Sequence, residues 1–171
     1  MRGIILQVNV SRGGVPKTAV PEAWIRATGL DGDAWAMPRI HGKPNQKVLI
    51  VTMESIAEVN ALGYSIFAGA LGENLTVDGL DRTALRTGQR FRAGDALIEL
   101  TKLRGPCATL DVYGRGIQAL LMDGAARAGD TASPTWARGG FYARVVEEGI
   151  VRPGDIIALD ASVERPVNAS E

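Results

Sequence analysis

Glycine recurs at short intervals along this sequence, and that spacing constrains the fold more than any other feature. The chain has 21 glycines in 171 residues, many of them beside polar residues that favour turns. The segments between them are short and rich in β-branched residues, which prefer extended backbone. Short strands separated by frequent turns predict a β-sandwich or a β-barrel. We predict strands at residues 4–10, 47–51, 96–101, 142–147 and 156–159.

Helical periodicity is confined to a few short segments. In residues 53–62 the apolar positions recur every third residue, which predicts a helix with one buried stripe. Thr52 is placed to cap its first turn, and Gly63 is placed to end it. Further helices are predicted at residues 116–122 and around Leu110, and a loop is predicted at residues 123–135.

Length and charge limit what the protein can be. We predict one domain over residues 1–160 and a flexible C-terminal tail over residues 161–171, which contain few large apolar groups. The 19 basic residues equal the 19 acidic ones, and this zero net charge argues against binding to nucleic acid or to a membrane surface. No apolar run approaches the roughly 20 residues of a membrane helix. A single cysteine and the lack of a signal-peptide pattern predict a cytoplasmic protein.

The segment Arg104-Gly105-Pro106-Cys107 follows a predicted strand and is the first candidate site. Arg104 supplies positive charge that favours the thiolate, and Gly105 lets a ligand approach the backbone closely. A thiolate held in this way could bind a soft metal, carry sulfur or act as a nucleophile. The alternative is that Cys107 is a small buried hydrophobic residue, which is the commonest fate of a free cysteine.

A second candidate is the basic run around His41, the only histidine in the chain. Arg39, His41 and Lys43 lie among small turn-forming residues and could line an anion site. The alternative is a solvated basic loop. One histidine and one cysteine are too few for the usual kinds of zinc site.

Two further motifs could contact a ligand. Gly72-Glu73-Asn74-Leu75 places a carboxylate and an amide in a glycine-bounded turn, where they could hydrogen-bond the N–H groups of a heterocycle. The alternative for Glu73 is that it only completes the turn. Arg144 lies in the strand after two glycines and could reach a phosphate, or it could lie on the surface of a plain strand.

In chain order these motifs resemble the MOSC domain family, named for the C-terminal domain of molybdenum-cofactor sulfurases. The resemblance covers nearly the whole chain. Glu73-Asn74-Leu75, Arg104-Gly105-Pro106-Cys107 and the late Gly154-Asp155 together make it specific. The other matching segments are Gly29-Leu30-Asp31-Gly32-Asp33, His41-Gly42, Gly88, Arg92-Ala93-Gly94 and Gly140-Phe141-Tyr142-Ala143-Arg144-Val145.

The resemblance implies a mainly β fold, a mostly antiparallel β-barrel with a few short helices. It also implies binding of the molybdenum cofactor, which is molybdopterin carrying molybdenum, with Cys107 as metal ligand or sulfur carrier and Arg104 beside it. The remaining implied contacts are Arg39, His41, Lys43 and Arg144 with the phosphate of the cofactor, and Glu73 and Asn74 with its pterin ring.

Three functions remain open at this point. The first is a molybdenum-dependent oxidoreductase that reduces a small N-hydroxylated substrate with electrons from a separate partner. The second is a carrier of sulfur or of the cofactor, with a persulfide on Cys107 and a sulfur-transfer partner. The third is a non-catalytic, anion-binding barrel. Pyridoxal phosphate is not expected, because the chain is too short to include the pyridoxal-phosphate domain of the sulfurases, and a barrel with one open pocket predicts a homodimer.

Overall fold

The computed structural model describes residues 1–34 and 43–160. This part of the chain forms eleven β-strands and three short α-helices. The strands are β1 (Arg2–Val10), β2 (Thr18–Val20), β3 (Ala23–Arg26), β4 (Gly29–Leu30), β5 (Val48–Thr52), β6 (Leu75–Asp78), β7 (Arg90–Ala93), β8 (Ala96–Leu103), β9 (Phe141–Glu147), β10 (Gly149–Val151) and β11 (Ile156–Leu159). The α-helices are α1 (Met53–Ala61), α2 (Ile117–Leu121) and α3 (Gly124–Arg127), and 3₁₀ helices cover Arg82–Ala84 and Ala108–Tyr113.

Seven of the strands close into a barrel. Hydrogen bonding runs in the order β1, β6, β5, β9, β8, β7 and β11, and β11 returns to pair with β1. All neighbours in this ring are antiparallel except β5 and β6, which are parallel. β2 extends the sheet beyond β1, while β3, β4 and β10 form a small separate sheet. The predicted mainly β, mostly antiparallel barrel with a few short helices is confirmed.

Buried and exposed residues alternate along the strands, and the buried ones form the main core inside the barrel. Successive strand residues point to opposite faces, and in β1 the buried Gly3 and Ile5 alternate with exposed neighbours. The inward side chains meet in one apolar cluster, to which Ile5, Phe91 and Phe141 contribute with no exposed surface. Burial of each such side chain contributes about 1.5–3 kcal/mol.

Strand β5 is buried on both faces because a second apolar layer covers the outside of the barrel there. Val48 and Ile50 belong to the barrel interior, whereas Leu49 and Val51 belong to a separate cluster. That second cluster also contains Ile56 of α1 and residues from α2 and the 3₁₀ helix Ala108–Tyr113. Packing from both sides fixes the position of β5, which carries Leu49 to a pocket on the barrel wall.

The predicted elements are largely present. Each of the five predicted strands is observed, with its ends shifted by no more than two residues. The helix predicted at residues 53–62 is α1, and Thr52 Oγ1 accepts a hydrogen bond from the backbone N–H of Ser55 at 3.2 Å. The helices predicted at residues 116–122 and around Leu110 are α2 and the second 3₁₀ helix.

One predicted loop is wrong in its first part. Residues 123–135 begin with α3, because the Asp123 carboxylate accepts a hydrogen bond from the backbone N–H of Ala126 at 2.7 Å and caps the helix. The predicted tail, residues 161–171, lies outside the described residues. The longest helix in the described part has nine residues, and no helix there has the length and apolar character to cross a membrane.

The surroundings of Gly140 show how tightly the barrel wall is packed beside residues 104–107. The φ of Gly140 is +96°, and a Cβ there would lie 2.4 Å from the carbonyl oxygen of Ile50. Gly88 has a similar φ of +89° but no atom within 4 Å of the same added Cβ. We expect Gly88→Ala to lower the free energy of unfolding by about 1–2 kcal/mol through backbone strain. Gly140→Ala should cost about 3 kcal/mol or more, because the steric clash adds to that strain.

Urea denaturation of the two glycine variants measures this difference. Both replacements add the same methyl group at a positive φ, so the comparison isolates the contact with β5. Equal losses of stability would contradict the packing described for Gly140.

Candidate functional site

A pocket that is partly open to solvent lies on the barrel wall. Most of its lining comes from the loop between β1 and β2, the turn that precedes β6, and the segment after β8. Residues of β5, of β9 and of the turns before β5 and after β4 complete it. Its apolar lining includes Val15, Leu49 and Leu71. Its polar lining includes Lys17, Gln46, Asn74, Arg104, Cys107 and Tyr142. The pocket therefore combines two cationic side chains, two amides and the single thiol of the chain.

Cys107 lies on the pocket wall at the start of the 3₁₀ helix Ala108–Tyr113. Its side chain is only partly buried, and its Sγ lies 2.8 Å from Thr109 Oγ1. Cys107 is therefore not a small residue of the apolar core, because its thiol faces both a hydroxyl and the pocket. The arrangement leaves the sulfur accessible to a metal or an electrophile.

Arg104 is 4% exposed and is held by the backbone on two sides. Its own N–H donates to the carbonyl of Gly140 at 2.9 Å, and its Nη2 donates to the carbonyl of Leu71 at 3.1 Å. Its Nη1 is buried and has no hydrogen-bond partner within the described ranges. Burial raises the pKa of the neighbouring Tyr142, and both the positive charge of Arg104 and its hydrogen bond with Tyr142 oppose that rise. Arg104 is therefore a fixed cation with an unused donor.

Asn74 joins the pocket to two strands and to the turn after β4. Its Nδ2 donates to Asp33 Oδ2 at 2.8 Å and to the carbonyl of Asn9 at 3.3 Å. Its Oδ1 accepts the backbone N–H of Leu49 at 3.1 Å. Both donor hydrogens are thus engaged, whereas the carbonyl oxygen keeps a second lone pair. Asn74 can therefore accept a hydrogen bond from a ligand but has no spare donor.

Sequence analysis missed Lys17, which forms a buried ion pair with Asp33. The two side chains are 8% and 2% exposed, and Asp33 Oδ1 also accepts the backbone N–H of Ser11 at 2.9 Å. Burial lowers the pKa of Lys17, while Asp33 and Glu73 oppose that shift. Asp33 ends one of the segments that resemble the MOSC domain family, and no local pattern marks Lys17. Only the approach of the two loops in the folded chain reveals the pair.

Glu73 is fully buried and is not among the residues that line the pocket. Its Oε1 accepts the backbone N–H of Gly69 at 2.5 Å and the hydroxyl of Thr76 at 2.9 Å. Its Oε2 has no partner in the part of the chain that the structure describes. Burial raises the pKa of Glu73, and the bonds from Gly69 and Thr76 and the charge of Arg104 oppose that rise. These contacts support the structural alternative, in which Glu73 completes the turn before β6.

Of the other residues predicted to contact the cofactor, those that the structure describes do not line the pocket. Arg144 lies on the outside of β9, where its Nε and Nη2 donate to the Glu99 carboxylate at 2.9 and 3.0 Å. Lys43 is exposed, and neither Lys43 nor Arg144 belongs to the pocket lining. Arg39 and His41 lie outside the described residues. The structure thus brings Cys107, Arg104 and Asn74 together and supports the surface-strand alternative for Arg144.

Comparison with known proteins identifies the family. Residues 37–158 match the MOSC domain model, so the chain belongs to the MOSC domain family. The chain is 32% identical to protein YiiM of Escherichia coli (strain K12) over 96 residues, 54% of this chain and 43% of YiiM. It is 28% identical to the uncharacterized protein YflK of Bacillus subtilis (strain 168) over 160 residues, 93% of this chain and 68% of YflK. The matched segment therefore spans less than half of the E. coli relative.

Solved structures share this fold. The structure of YiiM from Geobacillus stearothermophilus aligns with a TM-score of 0.66 and 25% identity, covering 98% of this chain and 78% of that one. The structure of the YUAD protein from Bacillus subtilis aligns with a TM-score of 0.68 and 21% identity, covering 92% and 94%. The second likeness, at this low identity, concerns the fold alone.

The buried ion pair predicts a non-additive pair of substitutions. Lys17→Met leaves the Asp33 carboxylate buried without its cation, and we expect a loss of about 3–5 kcal/mol in the free energy of unfolding. Adding Asp33→Asn removes the unpaired charge and should recover part of that loss, since the amide keeps only one of the two oxygens that accept from Ser11 and Asn74. Chemical denaturation of wild type, both single variants and the double variant measures the coupling free energy. Additive losses would show that the two side chains do not interact.

The raised pKa of Glu73 predicts a specific pH dependence. In the folded protein this carboxyl keeps its proton to higher pH than in the unfolded chain. The stabilising effect of the raised pKa is present below the unfolded value of about 4.3 and is lost as pH rises through the folded value. Glu73→Gln keeps an acceptor for Gly69 and Thr76 but does not titrate. We therefore expect Glu73→Gln to gain stability relative to wild type as pH rises above about 4.3.

Denaturation curves of both proteins across the pH range measure that difference. Taking the difference cancels the groups that titrate alike in the two proteins. A stability difference that stays constant with pH would contradict the raised pKa.

Proposed function

We propose that this chain is a molybdenum-cofactor protein that reduces N-hydroxylated compounds through a molybdenum bound by Cys107. The observation that carries the proposal is the accessible thiol in a pocket lined by Arg104, Lys17 and Asn74. A soft thiolate suits molybdenum that is already ligated by sulfur, by the same matching of soft ligands to soft metals that sorts other sites. Membership of the MOSC domain family supports the same cofactor.

The chemistry of the pocket residues fits the cofactor. Cys107 offers the one sulfur ligand in the chain, and Asn74 Oδ1 retains a lone pair for an N–H of the pterin ring. Leu49 and Leu71 provide apolar surface against which a flat ring system can pack. Arg104 Nη1 lacks an acceptor within residues 1–34 and 43–160, and an anionic group of the cofactor could supply one.

The proposed reaction divides its work between the cofactor and the chain. A hydroxylamine takes up two electrons and two protons, its N–O bond breaks, and an amine and water are released. The bound cofactor would supply two-electron redox chemistry, and a separate redox partner would deliver the electrons. The chain would bind the metal through Cys107, orient the pterin ring through Asn74 and keep part of the site dry with Leu49 and Leu71. Arg144 and Glu73 have no part in this proposal, given the contacts that they make.

A carrier function is the second candidate, and the partial exposure of Cys107 favours it. A persulfide on an accessible thiol can be transferred to an acceptor protein, and this needs no substrate pocket. The two functions differ in whether the protein retains molybdenum and turns over a small substrate.

Metal analysis of protein made in a host that synthesises the cofactor tests the proposal. We expect wild type to contain nearly one molybdenum per chain and Cys107→Ser to have lost most of it, because a hydroxyl is a poor replacement for a soft thiolate. Thr109→Val is the matched control, since it removes the hydroxyl beside the sulfur and leaves the sulfur in place.

Each outcome of the metal analysis has a clear meaning. Molybdenum in wild type and in Thr109→Val, but not in Cys107→Ser, supports the proposal, and reduction of a hydroxylamine with an artificial electron donor then tests the activity. Folded wild-type protein without molybdenum would contradict it. Mass-spectrometric detection of a persulfide on Cys107 would then favour the carrier.

A further inference from the structure

The pocket carries more positive charge than its own carboxylate balances. Lys17 and Arg104 are both nearly buried and both line it. Asp33 pairs with Lys17, but Arg104 makes no ion pair with any described residue. Glu73, the other nearby carboxyl, does not line the pocket, and its hydrogen bonds come from Gly69 and Thr76 rather than from Arg104. An uncompensated buried cation is costly, so a bound anion would be strongly favoured here.

Both cations also have hydrogen-bond donors left over. The Arg104 guanidinium donates from Nη2 to the Leu71 carbonyl and also hydrogen-bonds the Tyr142 side chain, while Nη1 is buried with no acceptor among the described residues. The Lys17 ammonium has three donors, and its one side-chain bond within those residues goes to Asp33. Charge-assisted bonds from such donors to an oxyanion are roughly twice as strong as bonds between neutral groups.

Asp33 fixes where the ammonium of Lys17 can point. Its Oδ1 is held by the backbone N–H of Ser11 at 2.9 Å, and its Oδ2 accepts from Asn74 at 2.8 Å. The carboxylate is therefore anchored at both oxygens before it meets Lys17. Such anchoring holds a flexible lysine in one position, which lowers the entropy cost of binding a ligand there.

We infer that Lys17 and Arg104 form an oxyanion-binding subsite beside Cys107, with Asp33 positioning Lys17. The subsite takes a small anionic group such as a phosphate or carboxylate. It deepens the proposed function, because the anionic group belongs either to the cofactor or to an N-hydroxylated substrate that carries a negative charge. No sequence motif contains Lys17. The subsite can therefore be recognised only in the folded chain.

Titration with inorganic phosphate tests the subsite without molybdenum. Protein from a host that cannot make the cofactor is titrated by isothermal calorimetry, with ionic strength held constant by sodium chloride because salt screens the interaction. We expect one phosphate per chain. The double variant Lys17→Met with Asp33→Asn avoids an unpaired carboxylate and should bind phosphate about tenfold more weakly or worse, as loss of a charge-assisted bond implies.

Two further variants complete the test. Arg104→Lys keeps the charge but loses the planar fork of donors, and it should also weaken phosphate binding. Arg92→Met is the matched control, since Arg92 is an exposed, ion-paired cation outside the pocket lining, and it should bind phosphate as wild type does. Circular dichroism confirms that each variant is folded. No phosphate binding by wild type, or unchanged binding by the double variant, would overturn the inference.

Repeating the titration on molybdenum-loaded protein identifies the source of the anion. Phosphate bound only by cofactor-free protein assigns the subsite to the phosphate of the cofactor. Phosphate bound equally by both forms assigns it to an anionic substrate. Failure of the proposed function is distinguishable, because it appears as missing molybdenum while the phosphate titration of the cofactor-free protein still responds to the Lys17 and Arg104 variants.

Discussion

The hydrogen bonds of one buried amide, Asn74, hold together the segments on which the pocket depends. It bonds to Leu49 of β5, to Asn9 of β1 and to Asp33 in the turn after β4. Asp33 in turn holds Lys17. Residues far apart in the sequence therefore meet at a side chain that leads directly into β6. Loss of Asn74 would leave the N–H of Leu49 and the carboxylate of Asp33 with fewer partners in a buried region, where unmet polar groups are costly.

The same region departs from the rule that buried positions are apolar. Glu73, Asp33, Lys17 and Arg104 are all largely removed from solvent, although the barrel a few ångströms away has an ordinary apolar core. Buried charges of this kind seldom add stability compared with apolar residues of similar size. Natural sequences break such rules mainly where function requires it. Two of these groups, Lys17 and Arg104, line the same pocket as Cys107, and this is why we propose the pocket as the functional site.

Periodicity in the sequence predicted the longer strands and the first helix well, whereas the choice of a barrel over a sandwich came from the resemblance to the MOSC domain family. The longer strands, such as β1 and β8, carry enough alternating or β-branched residues to be recognised, and α1 carries a capping threonine and a regular apolar stripe. Most strands of two to four residues, such as β4 and β7, are too short to show a period of their own, and β11 is the one strand of this length that was predicted. They exist because neighbouring strands supply hydrogen bonds, which no local window of sequence contains.

The site was predicted only in part, for a related reason. Cys107, Arg104 and Asn74 lie in compact motifs, and the structure brings them to one pocket. Lys17 lies in no motif, because its importance comes from an ion pair with a residue sixteen positions away. Arg144 has the right chemistry for a phosphate, yet strand alternation directs it outward to Glu99. Residue type thus indicated the chemistry, and only the fold decided which residues share the site.

The most direct measurement of the central claim is X-ray absorption at the molybdenum edge on protein loaded with cofactor. The spectrum of wild type should require one more sulfur neighbour at molybdenum than the spectrum of Cys107→Ser reconstituted with the same cofactor. Equal numbers of sulfur neighbours in the two proteins would show that Cys107 does not bind the metal, and the account of this pocket as a thiolate-ligated molybdenum site would be wrong.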